Sequence, residues 1–278
     1  MRYTGKNLII TVNNHAVSYN DEGPDDAPVI VFIHGFPLNK SMWNAQVEEL
    51  EYSFRVVTYD VRGHGGSGTG DEDFSIELFV KDLLCLMDAL KINKTVLCGL
   101  SMGGYIALSA IEKYPKRFNA LILCNTSCKA DTLEAKSNRI KAIESVKENG
   151  AEKFAEENLN NLFAPESFAT MKIEIAVVRE MIVKTSVQTL CNTLLALSIR
   201  SETFSKLQDI KVPVLILVGK KDKITPTSFS HLMHEKIKGS SMYIIDHAGH
   251  LSNIENPYEF NEQITKFVES GKVKAMNI

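Results

Sequence analysis

No apolar run in this chain is long enough to span a bilayer. The opening residues, Met1-Arg2-Tyr3-Thr4-Gly5-Lys6-Asn7, lack the apolar core of a signal peptide. Neither a membrane span nor export is expected. An excess of one charge is also missing: 31 Lys and Arg stand against 34 Asp and Glu, a formal net charge of -3. With no basic stripe carrying interleaved aromatics, a nucleic-acid partner is not expected. The five cysteines, Cys85, Cys98, Cys124, Cys128 and Cys191, are odd in number and scattered. They fit reduced thiols in a cytoplasmic protein better than a disulfide framework. There is no internal repeat and no low-complexity tract. The pairs His231–His234 and His247–His250 have no carboxylate in metal-ligand register, so no metal site is expected.

What is present is ordinary for a soluble globular enzyme: 44% hydrophobic and 23% charged residues in 278. That length suits one large α/β domain, or a core with an insertion. Two apolar stretches, 8–12 and 15–19, flank Asn13-Asn14, which reads as a two-residue hairpin turn, followed by a loop over 21–28. The continuous apolar run at 29–33 reads as a central parallel strand covered on both faces, and 55–59, 95–98, 120–124 and 214–218 read as further strands, with a last strand at 241–245. Helices are expected near 44–50, 76–90 and 105–111, and a closing helix opens at Asn256-Pro257. Alternating strands and helices predict a mostly parallel sheet wrapped on both faces. The stretch 129–207 breaks the alternation: it holds only helical patterns, punctuated by Gly150 and Pro165. It reads as a helical cap inserted into a core of 1–128 and 208–278. A separate domain is the alternative, less favoured because the stretch is short and interrupted.

The chemistry centres on Gly99-Leu100-Ser101-Met102-Gly103-Gly104, between a strand and a helix of small residues. A G-x-S-x-G stretch in that setting makes a sharp turn with Ser101 at its apex, its hydroxyl exposed beside the first N–H groups of the helix. A nucleophilic serine needs a base, an acid that orients the base, and donors for the oxyanion. His34-Gly35-Phe36-Pro37 follows the strand at 29–33, which places the backbone N–H of Phe36 as one donor and that of Met102 as the other. Asp222 follows the strand at 214–218, and His250 lies past the last strand in the Gly249-His250 pair. Serine, acid, histidine is the chain order of this architecture. Asp222 and His250 are thus the expected acid and base, with Asp60 and His247 as weaker alternatives. Phe36, Met102 and Leu251 are expected to touch substrate.

Gly63-His64-Gly65-Gly66-Ser67-Gly68 formally satisfies a dinucleotide-binding pattern. That site needs a helix opening at those glycines, whereas Thr69-Gly70-Asp71-Glu72-Asp73 intervenes. A tight loop beside the active site is the better reading.

Five motifs in order, at His34–Pro37, Tyr59–Ser67, Gly99–Gly104, Gly219–Asp222 and Gly249-His250, resemble the α/β-hydrolase superfamily over nearly the whole chain. The HGFP and GLSMGG forms look most like the group of 3-oxoadipate enol-lactonases, arylesterases and cofactor-free haloperoxidases or perhydrolases. The resemblance implies an eight-stranded sheet, a cap after the sixth strand, and no cofactor. The expected activity is hydrolysis of a small carboxylic ester or lactone. Carbon–carbon bond, thioester or perhydrolase chemistry on the same residues remains an alternative, as does a non-catalytic ligand receptor. Serine at the elbow argues against dehalogenases, which carry aspartate there. Arg139, Arg179 and Arg200 of the insertion are candidates to bind a substrate carboxylate. The oligomeric state is left open.

Overall fold

The computed structural model describes residues 4–270 and Val273; the ends of the expected core, 1–3, 271–272 and 274–278, lie outside them. Eight strands form one sheet: β1 (Gly5–Val12), β2 (His15–Glu22), β3 (Val29–Ile33), β4 (Arg55–Tyr59), β5 (Thr95–Leu100), β6 (Phe118–Cys124), β7 (Val214–Gly219) and β8 (Ser241–Ile245). Their order across the sheet is β1-β2-β4-β3-β5-β6-β7-β8. Among the described residues only the β1–β2 and β2–β4 pairings are antiparallel. Asn13 and Asn14 both take positive φ, 44° and 61°, as a two-residue hairpin between twisted strands requires. β2 runs on to Glu22, into residues expected as loop. Asp21 and Glu22 pair with Val57 and Val56 of β4, and Asp21 accepts two bonds from Arg55, so the strand gains partners there.

The apolar runs are continuous because both faces of the sheet are covered. Ile30 and Phe32 face one side with Val96, Cys98, Ala120, Ile122, Leu215 and Leu217. Val31 and Ile33 face the other with Leu97, Leu121, Leu123 and Ile216. The first side is packed by α1 (Asn44–Leu50) and later by the closing helix; the second by α2 (Ile76–Ala89) and α3 (Met102–Lys113). The one tryptophan, Trp43, sits fully buried on the first side, its ring 4.9 Å from that of Phe32.

Between β6 and β7 come four helices: α4 (Leu133–Leu162), α5 (Ser167–Thr170), α6 (Lys172–Val183) and α7 (Val187–Ile199). α4 breaks at Gly150, whose φ of 78° is open to glycine and costly for other residues. After β7 come α8 (Thr227–Lys236), α9 (Ser252–Glu255) and α10 (Pro257–Val268). α8 has no apolar stripe to betray it in sequence, since only Ser230 and Met233 are buried. Among the described residues no single helix is long and apolar enough to cross a membrane.

Parallel pairing brings the carboxyl ends of β3 to β8 to one edge, where the functional motifs gather. His34 and His64 lie under this edge, fully buried, with ring centroids 5.2 Å apart. His34 donates from Nδ1 to Gly35 O and accepts at Nε2 from Val61 N, so it holds the loop as a neutral ring. Burial pushes His34 down, and burial with His34 alongside pushes His64 down to about 3. An unfolded histidine titrates near 6.5. Between those values the unfolded chain binds a proton that the folded chain does not. Stability therefore falls as pH drops through about 6.5. His64→Asn should remove on the order of 2 kcal/mol of the loss between about pH 7 and pH 5. Urea denaturation of both proteins at the two values measures this, and an unchanged pH slope would contradict it.

Candidate active site

Ser101 sits between β5 and α3 with φ 55° and ψ -112°, a conformation that few non-glycine residues adopt. The junction is held on every side. Ser101 N donates to Cys124 O of β6 at 2.9 Å, and Ser101 O accepts from Thr126 Oγ1 at 2.8 Å and from Gly104 N at 2.9 Å. The motif glycines are required by close approach: a Cβ on Gly99 would lie 2.2 Å from Gly103 O, and one on Gly103 2.2 Å from Ile33 O. Beside Ser101, the N–H of Met102 opens α3, where the helix dipole favours negative charge. Among the described residues, neither Met102 N nor Phe36 N donates to a protein acceptor.

Asp222 follows β7 in a tight turn and is buried. Oδ1 accepts from Ile224 N (2.8 Å) and Thr225 N (2.9 Å), and Oδ2 from Thr225 Oγ1 (2.7 Å) and Asn125 Nδ2 (2.8 Å). His250 Nδ1 lies 2.9 Å from Oδ2 and 3.0 Å from Oδ1. Burial opposes the charge on Asp222, but the facing imidazole and these hydrogen bonds outweigh it. They hold the carboxyl well below the usual carboxylate range. With Nδ1 on Asp222, Nε2 of His250 is the nitrogen left for a reacting group.

Ser101 and His250 line one cavity of about 500 Å³. Its wall includes Phe36 and Tyr105 from the core and Leu162, Leu194 and Leu197 from the helical insertion. Bent at Gly150, α4 presents two faces to it, Ala135, Asn138, Arg139 and Ala142, then Phe154, Glu157, Asn158 and Asn161. Both sets follow the i, i+3, i+4, i+7 spacing of one helix side. Of the side chains expected against substrate, Phe36 lines the cavity but Met102 and Leu251 do not. Each is buried in the hydrophobic core on its own side of the sheet, leaving Met102 its backbone N–H. Exposed Asn138, Glu157 and Ile224 are also among its walls, so polar and apolar side chains share the lining.

The alternatives fall elsewhere. Asp60 is buried against Lys40 Nζ at 2.8 Å and also accepts from Gly66 N. His247 is exposed, with φ 56°. The glycine-rich stretch after β4 is a loop, and α2 opens only at its cap Ser75, whose hydroxyl accepts from Leu78 N. Arg200 is buried over the Tyr105 ring and bonded to Asp131, Leu197 O and Lys129 O. Arg139 bonds Asp131 through Nε alone and lines the cavity. Arg179 does not line it.

The profile of the family described as "alpha/beta hydrolase fold" matches residues 28–170, and that of "TAP-like protein" matches 179–278. The chain is 32% identical to 3-oxoadipate enol-lactonase 1 of Acinetobacter baylyi (strain ATCC 33305 / BD413 / ADP1), over 96% of this chain and 94% of that one. Among solved structures it resembles a malate-bound thermophilic esterase from Thermogutta terrifontis, with TM-score 0.88 and 34% identity. That match covers 94% of this chain and 97% of the esterase. It also resembles the enol-lactonase from Burkholderia xenovorans LB400, with TM-score 0.89 and 28% identity over 95% and 100% of the two chains.

Sequence reasoning missed Asn125. It follows β6 directly with φ 44°, donates to Asp222 Oδ2 and to Gly249 O, and accepts from Ser252 Oγ at 2.5 Å. It thus ties the acid turn to the histidine loop. The available signal was its place: a polar residue at the carboxyl end of a buried strand, on the edge that carries the other motifs. Asn125→Ala leaves a buried hydroxyl without its acceptor and a buried carbonyl without a donor. We expect a loss of about 1–3 kcal/mol in chemical denaturation. A variant as stable as the parent would contradict that accounting.

Proposed function

We propose a mechanism for this chain, which belongs to the α/β-hydrolase family and is a hydrolase of carboxylic esters and lactones. Ser101 is the nucleophile, His250 the base and Asp222 the acid that fixes the tautomer of His250. The observation that carries this reading is the shared cavity: Ser101 and His250 line it together, with Nδ1 of His250 already on Asp222.

Nε2 of His250 takes the proton from Ser101 Oγ as the hydroxyl adds to the substrate carbonyl. The oxyanion accepts hydrogen bonds from Phe36 N and Met102 N, the two unpaired donors. Collapse breaks the ester C–O bond, and the imidazolium passes its proton to the leaving oxygen. Water, deprotonated by His250, then attacks the acyl-enzyme, and collapse breaks the acyl C–Oγ bond as His250 returns that proton to Ser101 Oγ, releasing the acid. Asp222 stays ionised throughout and stabilises the imidazolium.

The stretch 129–207 serves as a cap on the core of 1–128 and 208–278. Its polar side chains over the cavity support a small, polar ester or lactone over a long acyl chain. Arg139 supports a substrate carboxylate: with Nε committed to Asp131, the terminal fork of its guanidinium has no protein partner among the described residues. The neighbouring enol-lactonases support a lactone in particular.

Ser101→Ala should abolish ester turnover, and Asp222→Asn should lower kcat by roughly 10⁴. Steady-state assay of both on p-nitrophenyl acetate tests the assignment; an active Asp222→Asn variant beside an inactive Asp60→Asn would overturn the choice of acid. Along a series of p-nitrophenyl esters, kcat/KM should be higher for acetyl and butyryl than for palmitoyl chains, without a jump when substrate aggregates. A maximum at the long-chain end would sink the small-ester reading.

A further inference from the structure

The histidine loop and the helical insertion meet backbone to backbone. His250 N and Leu251 N both donate to Leu162 O at the end of α4, at 2.9 and 3.2 Å. One residue earlier, Gly249 N donates to Glu255 Oε2 at 2.7 Å. The other oxygen of that carboxylate accepts from Ala164 N at 2.7 Å and from Ser167 Oγ at 2.6 Å. Gly249 is a glycine because of this approach: a Cβ would lie 2.7 Å from Ala164 N and 2.9 Å from Phe163 C. The segment so gripped continues into the wall of the cavity through Asn161 and Leu162.

We propose that Glu255 is a positioning residue for the reaction, its carboxylate clamping the loop that carries His250 to the end of α4. The seat of the insertion over the substrate and the aim of the base are then set by one shared piece of backbone. This rests on the Ser101–His250–Asp222 reading and deepens it.

The clamp needs an acceptor at both ends. Gly249 N faces one oxygen, Ala164 N and Ser167 Oγ face the other, and none of these donors has a second acceptor among the described residues. An amide in place of the carboxylate turns an NH₂ group toward one of the two backbone N–H groups. One side of the clamp then opens, and the loop from Gly249 onward loses its hold. The bonds from His250 N and Leu251 N to Leu162 O keep the loop folded, so the shift is small. A misplacement of about 1 Å at a reacting group is enough to cost on the order of 10² in rate.

The test uses the full chain with Glu255→Gln, Ser167→Ala and His250→Ala, p-nitrophenyl acetate as substrate and a fluorophosphonate as label for Ser101. Glu255→Gln should lower kcat by about ten-fold or more with KM within about three-fold, and slow labelling in the same proportion. The far-downfield proton signal of the His250–Asp222 hydrogen bond should move or broaden in that variant. Ser167→Ala, which keeps two of the three bonds, should fall between it and the parent. Unchanged kcat and labelling with only a lowered Tm would make Glu255 a structural residue and overturn the proposal. If Glu255→Gln fails to fold, Ser167→Ala decides: parental kcat and labelling would overturn it. Turnover surviving in His250→Ala would remove the triad reading and this inference together. An inactive His250→Ala beside a fully active Glu255→Gln would remove the inference alone.

Discussion

The site hangs on a single junction, the peptide N–H of Ser101 bonded to the carbonyl of Cys124 on the next strand. A serine at φ 55° is held against a local cost on the order of 1–3 kcal/mol, and nothing in its own sequence neighbourhood supplies that. The sheet supplies it. β5 is buried along its whole length, and the backbone of α3 packs onto β3 and β5 so closely that Gly99 and Gly103 have no room for side chains. Relaxing Ser101 means separating β5 from β6 or lifting α3 off the sheet, and both expose core. The strain is therefore local while its support is global, which keeps the hydroxyl fixed at the cavity wall.

The same edge of the sheet explains why one buried aspartate differs from the others. Asp21, Asp60 and Asp82 are all buried, and each faces an arginine or lysine: Arg55, Lys40 and Arg62. Each pair is a short tie between strands and loops. Asp222 instead faces an imidazole, and its remaining lone pairs are filled by neutral donors from Asn125, Ile224 and Thr225. It is a buried carboxylate whose main partner is an imidazole that itself lines the cavity. That difference, more than position after a strand, separates it from Asp60.

Most of the frame was legible in the sequence, because its signals are short-range. The run at 29–33 is continuous for the physical reason that both faces are covered, and it and the stretch 55–59 mark strands to the residue. The elbow, the turn at Asp222 and the Gly249-His250 pair were legible because tight turns at strand ends demand particular residues. What was not legible depends on distant partners. Asn125 and Glu255 look like ordinary polar residues until residues 97 and 91 positions away are brought to them. Met102 and Leu251 follow Ser101 and His250 in sequence, yet the turns that set those two on the cavity wall send these neighbours into the core. Arg139 and Arg200 share Asp131 and are told apart by their other surroundings, Arg139 on the cavity wall and Arg200 buried over Tyr105 and bonded to Leu197 O and Lys129 O.

The helical insertion was the hardest part to read, and the reason bears on selectivity. A helix between solvent and a partly polar cavity shows polar residues on two sides, so its apolar stripe is thin. In α4 only Val146, Ala151, Phe154, Ala155, Leu159 and Leu162 are buried out of thirty residues. The cavity sides carry Asn138, Arg139, Asn158 and Asn161 among Ala135, Ala142 and Phe154, so their polar part reads as if it faced water. On the proposed reaction, a substrate that fills the cavity must replace that water. A polar or charged group on the substrate can take over the hydrogen bonds of these side chains. A long alkyl chain cannot, and each donor that it covers and leaves without a partner costs about 1–3 kcal/mol. Discrimination against long chains then comes from unpaired polar groups in the wall, a stronger filter than cavity volume, since a cavity of this size has room to admit several methylenes.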